Sequence, residues 1–406
     1  MTELVARGRY RINSIDILRG IVMVIMALDH TRDFFHKVDL SQAADAAMDP
    51  TNINTTFPLL FFTRWITHFC APIFVFLSGA SAWLMSQKKT KKELSTFLLT
   101  RGIWLVIVEI VIITFGWTFN PHFNVFILQV IWAIGISMII MGLIVWLPWK
   151  LILTLGLIIV FGHNLLDYPN ISNDLKGSTT ADLLYFSQFS PVIIDKTHVA
   201  IVVYAFLPWT GVMMLGYCFG KLFASSVDPV KRKKILWQMG LGLILLFIIF
   251  RFINGYGDPV KWGSSPRGSL YTFFSFINVN KYPPSLDFLC IMIGVGMIML
   301  SLLETARNKL TEFFRVYGRV PMLYYILHFY LLHLILIVVF YAQGFGSKDI
   351  VPQGLPFYFK PNGIGFGLAG VYAVWIFVVA VLYFICKKYD RYKTANVEKK
   401  WWLSYL

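Results

Sequence analysis

"SIDILRGIVMVIMALDHTRDFF" occupies residues 14–35. A helix needs about 20 apolar residues to cross a bilayer core, and this stretch has the length. It also carries Asp16, Arg19, Asp29, His30, Arg32 and Asp33. A charge at the bilayer centre costs ~2.5–3.5 kcal/mol on insertion scales. Groups kept in a membrane against that cost face one another or a polar cavity. The stretch therefore reads as a membrane helix that lines something polar.

The remaining chain agrees with that setting. Of 406 residues, 57% are hydrophobic, 14% are charged and 17% are aromatic, with a mean hydropathy of +0.66. Soluble domains run at about 45–50% apolar and 25% charged. The opening "MTELVARGRYRINSID" offers no apolar core and no small-residue cleavage site, so no signal peptide is expected. Ten candidate spans follow, at 15–35, 58–86, 97–119, 125–147, 150–167, 198–222, 235–254, 283–303, 319–341 and 364–386. An even number returns both termini to one side. Connections on that side hold 23 Lys and Arg, and the opposite connections hold eight. The positive-inside rule then places the termini in the cytoplasm.

The fold class expected is all-α: a polytopic integral membrane protein of about ten transmembrane helices, N- and C-termini cytoplasmic. It is read as one domain over 1–406 in the cell (inner) membrane. The net charge of +15 is a topology signal with affinity for anionic lipid headgroups, and not a nucleic-acid footprint. Cys70, Cys218, Cys290 and Cys386 share no motif spacing and read as core residues, with no disulfide frame and no metal site. The long connections at 36–57, 168–197, 255–282 and 342–363 all fall on the outer side, which reads as a surface built to receive something.

Arg19 and His30 are eleven residues apart, about three turns, so they share a face about 16 Å apart along the axis. Arg19 lies near the cytoplasmic end and can pair with Asp16, three residues earlier. The second span carries Arg64 and His68, the third Glu109, the fifth His163, and the ninth His328 and His333. An isolated membrane histidine is commonly a hydrogen-bonded packing residue. Several at one depth on different helices point to a polar cavity. In "NKYPPSL" Lys281 and Tyr282 stand at the outer rim, facing headgroups or substrate. In "LPWTG" Pro208 is expected to kink the sixth span, with Trp209 lining a path or packing.

In combination these segments resemble the bacterial relatives of the heparan-α-glucosaminide N-acetyltransferase family. The resemblance is carried by "RINSIDILRGIVMVIMALDHTRDFF", "FCAPIFVFLSGASAWL", "YAFLPWTGVMMLGY", "NKYPPSLDFLCIMIG" and "GRVPMLYYILHFYLLH". The Arg-x10-His spacing is also similar to membrane acyltransferases that O-acetylate surface polysaccharides. The resemblance implies transfer of an acetyl group from cytosolic acetyl-CoA to a sugar amine or hydroxyl on the far side of the membrane. It also implies an essential histidine. Motif position selects His30, with His36 and His68 as rivals. A long lumenal domain before the first span is not seen, so a lysosomal heparan role is not carried over.

The chemistry is compatible. A histidine titrates near neutrality and can act as base or acyl carrier. Asp29 or Asp33 would orient it. Arg19 would hold a CoA phosphate, with Trp209 on the donor path. Arg64, His68, His328, Lys281 and Tyr282 would meet the acceptor. Acetyl-CoA is the only cosubstrate expected, without metal or haem. Partners are a sugar or glycan acceptor and membrane lipid. N- versus O-transfer and direct versus ping-pong transfer stay open, as does oligomeric state, with a homodimer one option. A permease for a polar solute is the competing reading. A haem protein is a weaker one, since the histidines show no facing-pair pattern.

Overall fold

A computed structural model describes residues 12–37, 49–186, 189–351 and 357–404. Arg7, Arg9 and Arg11, part of the charge count, lie outside the described residues, as does the middle of the 36–57 connection. The principal helices are α1 (Asn13–Phe35), α2 (Pro58–Trp65), α3 (Cys70–Ser86), α4 (Lys91–Ile107), α5 (Thr114–Thr118), α6 (Val130–Ile144), α7 (Trp149–Gly162), α8 (Phe206–Phe219), α9 (Pro229–Ile253), α10 (Ser269–Ile277), α11 (Leu286–Leu303), α12 (Lys309–Arg319), α13 (Pro321–Ala342) and α14 (Leu368–Asn396). A 3₁₀ turn over Ile66–Phe69 joins α2 to α3, and a π-helical turn over Val108–Ile113 joins α4 to α5.

Among the described residues, seven helical stretches are long and apolar enough to cross a membrane: Pro58–Ser86, Lys91–Thr118, Trp149–Asp167, Pro229–Ile253, Leu286–Leu303, Pro321–Ala342 and Leu368–Asn396. The other three expected spans fall short of that measure for visible reasons. α1 has 23 residues but too many charges. α6 has 15 residues and α8 has 14. The expected span at 125–147 opens instead on a strand, β1 (Val125–Leu128). The one at 198–222 opens on β3 (Val199–Val202). With β2 (Ser190–Ile193) these form a three-stranded sheet, β1 parallel and β2 antiparallel to β3. Pro208 is corrected as well. It lies in the first turn of α8 rather than mid-helix, where its missing N–H has no intrahelical partner to lose.

α1 sits at the centre, packed by α3, α11, α12, α13 and α14. That position explains its charges, because its faces meet protein rather than lipid. The crossing with α12 is backbone to backbone. A Cβ at Gly20 would overlap the Phe314 carbonyl, and one at Gly318 the Asp16 carbonyl. Small residues of this kind let membrane helices approach closely. At the rim α9 turns Leu241, Leu245, Ile249 and Phe252 outward, a face suited to lipid.

Two polar knots close the ends. At one, Glu304 takes Arg232 at 2.6 and 3.0 Å and the Ser14 hydroxyl at 2.6 Å. At the other, Arg251 donates to the carbonyls of Val260, Ser275, Phe276 and Asn278. Beside it Asp258 accepts from Asn280 N at 2.8 Å and Ser285 Oγ at 2.7 Å. This second knot anchors the segment that carries Lys281 and Tyr282.

Candidate active site

His30 is buried on α1, and its Nδ1 lies 2.6 Å from His328 Nε2 on α13. His328 Nδ1 lies 3.1 Å from the Tyr324 carbonyl oxygen. That oxygen only accepts, so His328 Nδ1 carries the hydrogen. The neutral His328 ring then has a bare Nε2, which accepts from His30 Nδ1–H. A neutral His30 is left with its lone pair on Nε2. The chain of two hydrogen bonds thus fixes a tautomer able to take a proton.

The two histidines do face each other, contrary to the sequence reading. At 2.6 Å, however, their nitrogens leave no room for an iron between them. The His30 ring is boxed by Phe329 (4.4 Å between centroids), Trp117 (5.3 Å) and Tyr325 (6.2 Å). Trp117 Nε1 and the Tyr325 hydroxyl are buried with no hydrogen-bond partner among the described residues.

The carboxylates expected to orient His30 are engaged elsewhere. Asp29 pairs with Arg64 at 2.6 Å and Arg32 at 2.8 Å. Asp33 pairs with Arg32 at 2.5 Å, and its carbonyl accepts from Lys360 Nζ at 2.6 Å. Burial draws Lys360 below the ordinary lysine pKa. His328, assigned to the acceptor, is the group that touches His30.

Lys281 is 7% exposed and faces inward, not toward headgroups. Its ammonium lies 5.0 Å from the Tyr282 ring and 5.9 Å from the Tyr204 ring. Asp29 feels Lys281 as well as its two arginines. Burial raises the Tyr282 pKa, but the Lys281 and Arg64 cations outweigh it and leave the hydroxyl below its ordinary value.

His68 is buried on the 3₁₀ turn, its Nδ1 without a partner among the described residues. It edges Phe288, which edges Trp209, which packs on Tyr204. Trp209 is therefore on the His30 side of the molecule. Arg19 is at the other end of α1, held by Asp16 at 3.3 Å, Ser81 Oγ at 3.1 Å and the Gly318 carbonyl at 3.2 Å. The structure does not bring the two expected donor residues together. His36 caps α1, bridging to Phe366. His163 and His333 face carbonyls with both ring nitrogens, as packing residues do.

Trp117, Tyr325, Tyr204 and Lys360 were not singled out in the sequence. Tyr325 had a signal, since it stands three residues before His328 and so shares its face. The others come from distant segments with none.

Buried, paired charges and a hydrogen-bonded histidine pair lie together inside a helical membrane body. The family model described as heparan-alpha-glucosaminide N-acetyltransferase, catalytic, matches residues 11–250. The chain belongs to that family, and is a membrane acetyltransferase by membership, which sets the permease reading aside. The matched region holds His30, Arg64 and His68, while Lys281 and His328 lie beyond it. No curated protein matches the chain.

Proposed function

We propose that the protein moves an acetyl group from cytosolic acetyl-CoA to a sugar amine or hydroxyl at the extracytoplasmic face of the cell membrane. In this reading the chain is a single ten-span domain with both termini cytoplasmic. The observation that carries it is the Tyr324–His328–His30 chain, which leaves a lone pair on His30 Nε2.

In the direct route His30 Nε2 takes the proton of the acceptor hydroxyl or amine. The acceptor's electron pair bonds the thioester carbonyl carbon, and the C=O pair moves onto oxygen. The Tyr325 hydroxyl and Trp117 N–H, beside His30 and without partners among the described residues, would donate to that oxyanion. Collapse restores C=O and breaks the C–S bond. The His30 imidazolium returns its proton to the CoA thiolate. His328 holds the tautomer, and His68, Lys281, Tyr282 and Arg64 position the acceptor. The donor's phosphate end is assigned to the Arg19 end of α1, where the inner basic connections gather.

The test is transfer of labelled acetyl from acetyl-CoA to a sugar panel by the purified protein. A positioned general base contributes ~10²–10⁴-fold. His30→Ala should lower transfer by about a hundredfold or more while CoA binding stays within a few-fold. A folded His30→Ala protein with near-normal turnover would pass the role to His68 or His36. An acetylated histidine trapped with acetyl-CoA alone would replace the direct route by a ping-pong one.

A further inference from the structure

Glu109 lies inside the helical body and is 0% exposed. An ionisable residue kept at such depth is costly and marks a functional position by default. It stands on the π-helical turn Val108–Ile113, a rare element that recurs at functional sites. Its Oε2 accepts from Trp132 N at 3.0 Å, in the first turn of α6. The Gln129 and Ile131 amides face the same carboxyl. The contact closes the open N-terminus of α6, and one oxygen suffices for that. Oε1 is buried with no hydrogen-bond partner among the described residues.

Packing sets the π-helical turn against α13. The Tyr330 hydroxyl donates to the Ile112 carbonyl at 2.9 Å, and His333 Nδ1 meets the Gly116 carbonyl at 3.3 Å. These α13 side chains thus reach carbonyls 218 and 217 positions earlier. The same step from Tyr325 ends on Ile107 and Val108, beside Glu109. A long helical side chain leans toward the N-terminus, which carries the Tyr325 ring the same way. Tyr325 feels the Glu109 charge accordingly. Its hydroxyl is also buried without a partner among the described residues, and its ring edges His30 at 6.2 Å. Two buried polar ends, a carboxyl oxygen and a hydroxyl, therefore stand on facing elements. Burying both unpaired is costly, and a water held between them removes the cost.

We propose that Glu109 is a positioning residue for acetyl transfer, holding the Tyr325 hydroxyl through one bound water. The water donates one hydrogen to Glu109 Oε1 and the other to the Tyr325 oxygen. The Tyr325 O–H then finds no acceptor on the Glu109 side and turns toward His30. Glu109 touches neither substrate, and it acts by fixing the direction of one O–H. The assignment rests on the acetyltransferase reading, in which that O–H meets the thioester oxyanion. It gives a task to the carboxyl oxygen that the α6 terminus does not use.

The experiment has two arms on the purified full-length protein. The first is infrared difference spectroscopy without substrate. Glu109→Gln, nearly the same shape, identifies the Glu109 carboxyl band. Tyr325→Phe should shift that band, and Lys261→Gln, at an exposed position on an outer connection, should leave it in place. An unmoved band in Tyr325→Phe overturns the proposal. The second arm is kinetic. Glu109→Leu should lower kcat about tenfold while KM for acetyl-CoA stays within about twofold. Glu109→Gln, which keeps a polar group toward the water, should recover most of the loss. In a Tyr325→Phe background Glu109→Leu should cost no more than about twofold further, because the group it acts through is gone. Equal losses in both backgrounds would make Glu109 a cap of α6 alone and overturn the proposal. The infrared arm decides if Glu109→Leu fails to fold. A shifted band in a protein that transfers no acetyl would refute the transferase reading and leave the Glu109–Tyr325 link in place. Acetyl transfer with an unmoved band would refute only the positioning role.

Discussion

Asp29 and His30 are neighbours in the chain, and the 100° step of an α-helix sends them different ways. Asp29 meets Arg64 from α2, while His30 meets His328 from α13. That division was half legible in the sequence. The offset of adjacent residues is a property of one helix and could be stated in advance. Which residue on another helix would meet His30 depends on packing, and no spacing reports it. His328 therefore reads in the sequence as an acceptor contact, and the structure sets its ring against His30. Its role carries a testable consequence. His328→Phe keeps an aromatic ring but removes the acceptor for His30 Nδ1–H, so the lone pair is no longer confined to Nε2. Turnover should fall by about tenfold to a hundredfold with a displaced pH profile, and KM for acetyl-CoA should move little. An unaltered pH profile with normal kcat would make His328 a packing residue. Tyr325→Phe probes the oxyanion. Loss of one such donor costs ~10²–10³-fold in kcat, and an unchanged kcat would free Tyr325 of the assignment.

Helix α1 shows how an element overrides its own composition. Its charges disqualify it as a lipid-facing helix, and its surroundings make it the axis of the bundle. Gly20 is the position where this is most exposed to test, because the Phe314 carbonyl of α12 occupies the space of a side chain. Gly20→Val should push α12 off α1 and cost about 1–3 kcal/mol or more, read as a lower melting temperature. A stable Gly20→Val protein would show that the crossing is loose. Arg19 belongs to the same crossing, tying α1 to Ser81 of α3 and Gly318 of α12. Arg19→Ala should accordingly lower the melting temperature as well as CoA affinity. Stability lost with CoA affinity intact would leave Arg19 a brace alone. Helix existence was readable from hydropathy, as α9, α11, α13 and α14 show. The strands at 125–128 and 199–202 were not, since short apolar runs beside helices look like helix starts until their partners are known.

The number of crossings can be argued from contacts that close across the chain. β1 pairs with β3, so residues 125 and 199 stand at one face, and an even number of crossings separates them. α7 alone would make one, which calls for α6 to cross as well. Tyr204 packs on Tyr282, so α9 between them needs α8 as a second crossing. Gly318 meets Asp16, whereas Phe366 bridges to His36. One helix, α13, separates 318 from 366, so residues 16 and 36 stand at opposite faces and α1 crosses too. These contacts are what the proposed ten-span reading requires of α1, α6 and α8, and the charge bias of the connections agrees with it. The two counts differ in parity, which makes them easy to separate. With ten crossings, tags at the two ends of the chain report the same compartment, and with seven they report opposite ones. Reporters at Thr90, between α3 and α4, and at Leu270, on α10, fix the direction. Thr90 should report cytoplasm and Leu270 the outside. Ends in opposite compartments would return α1, α6 or α8 to a non-spanning role. A reversed Thr90–Leu270 pattern would turn the molecule over, placing the Arg19 end of α1 outside and overturning the proposed entry of the donor from the cytoplasm.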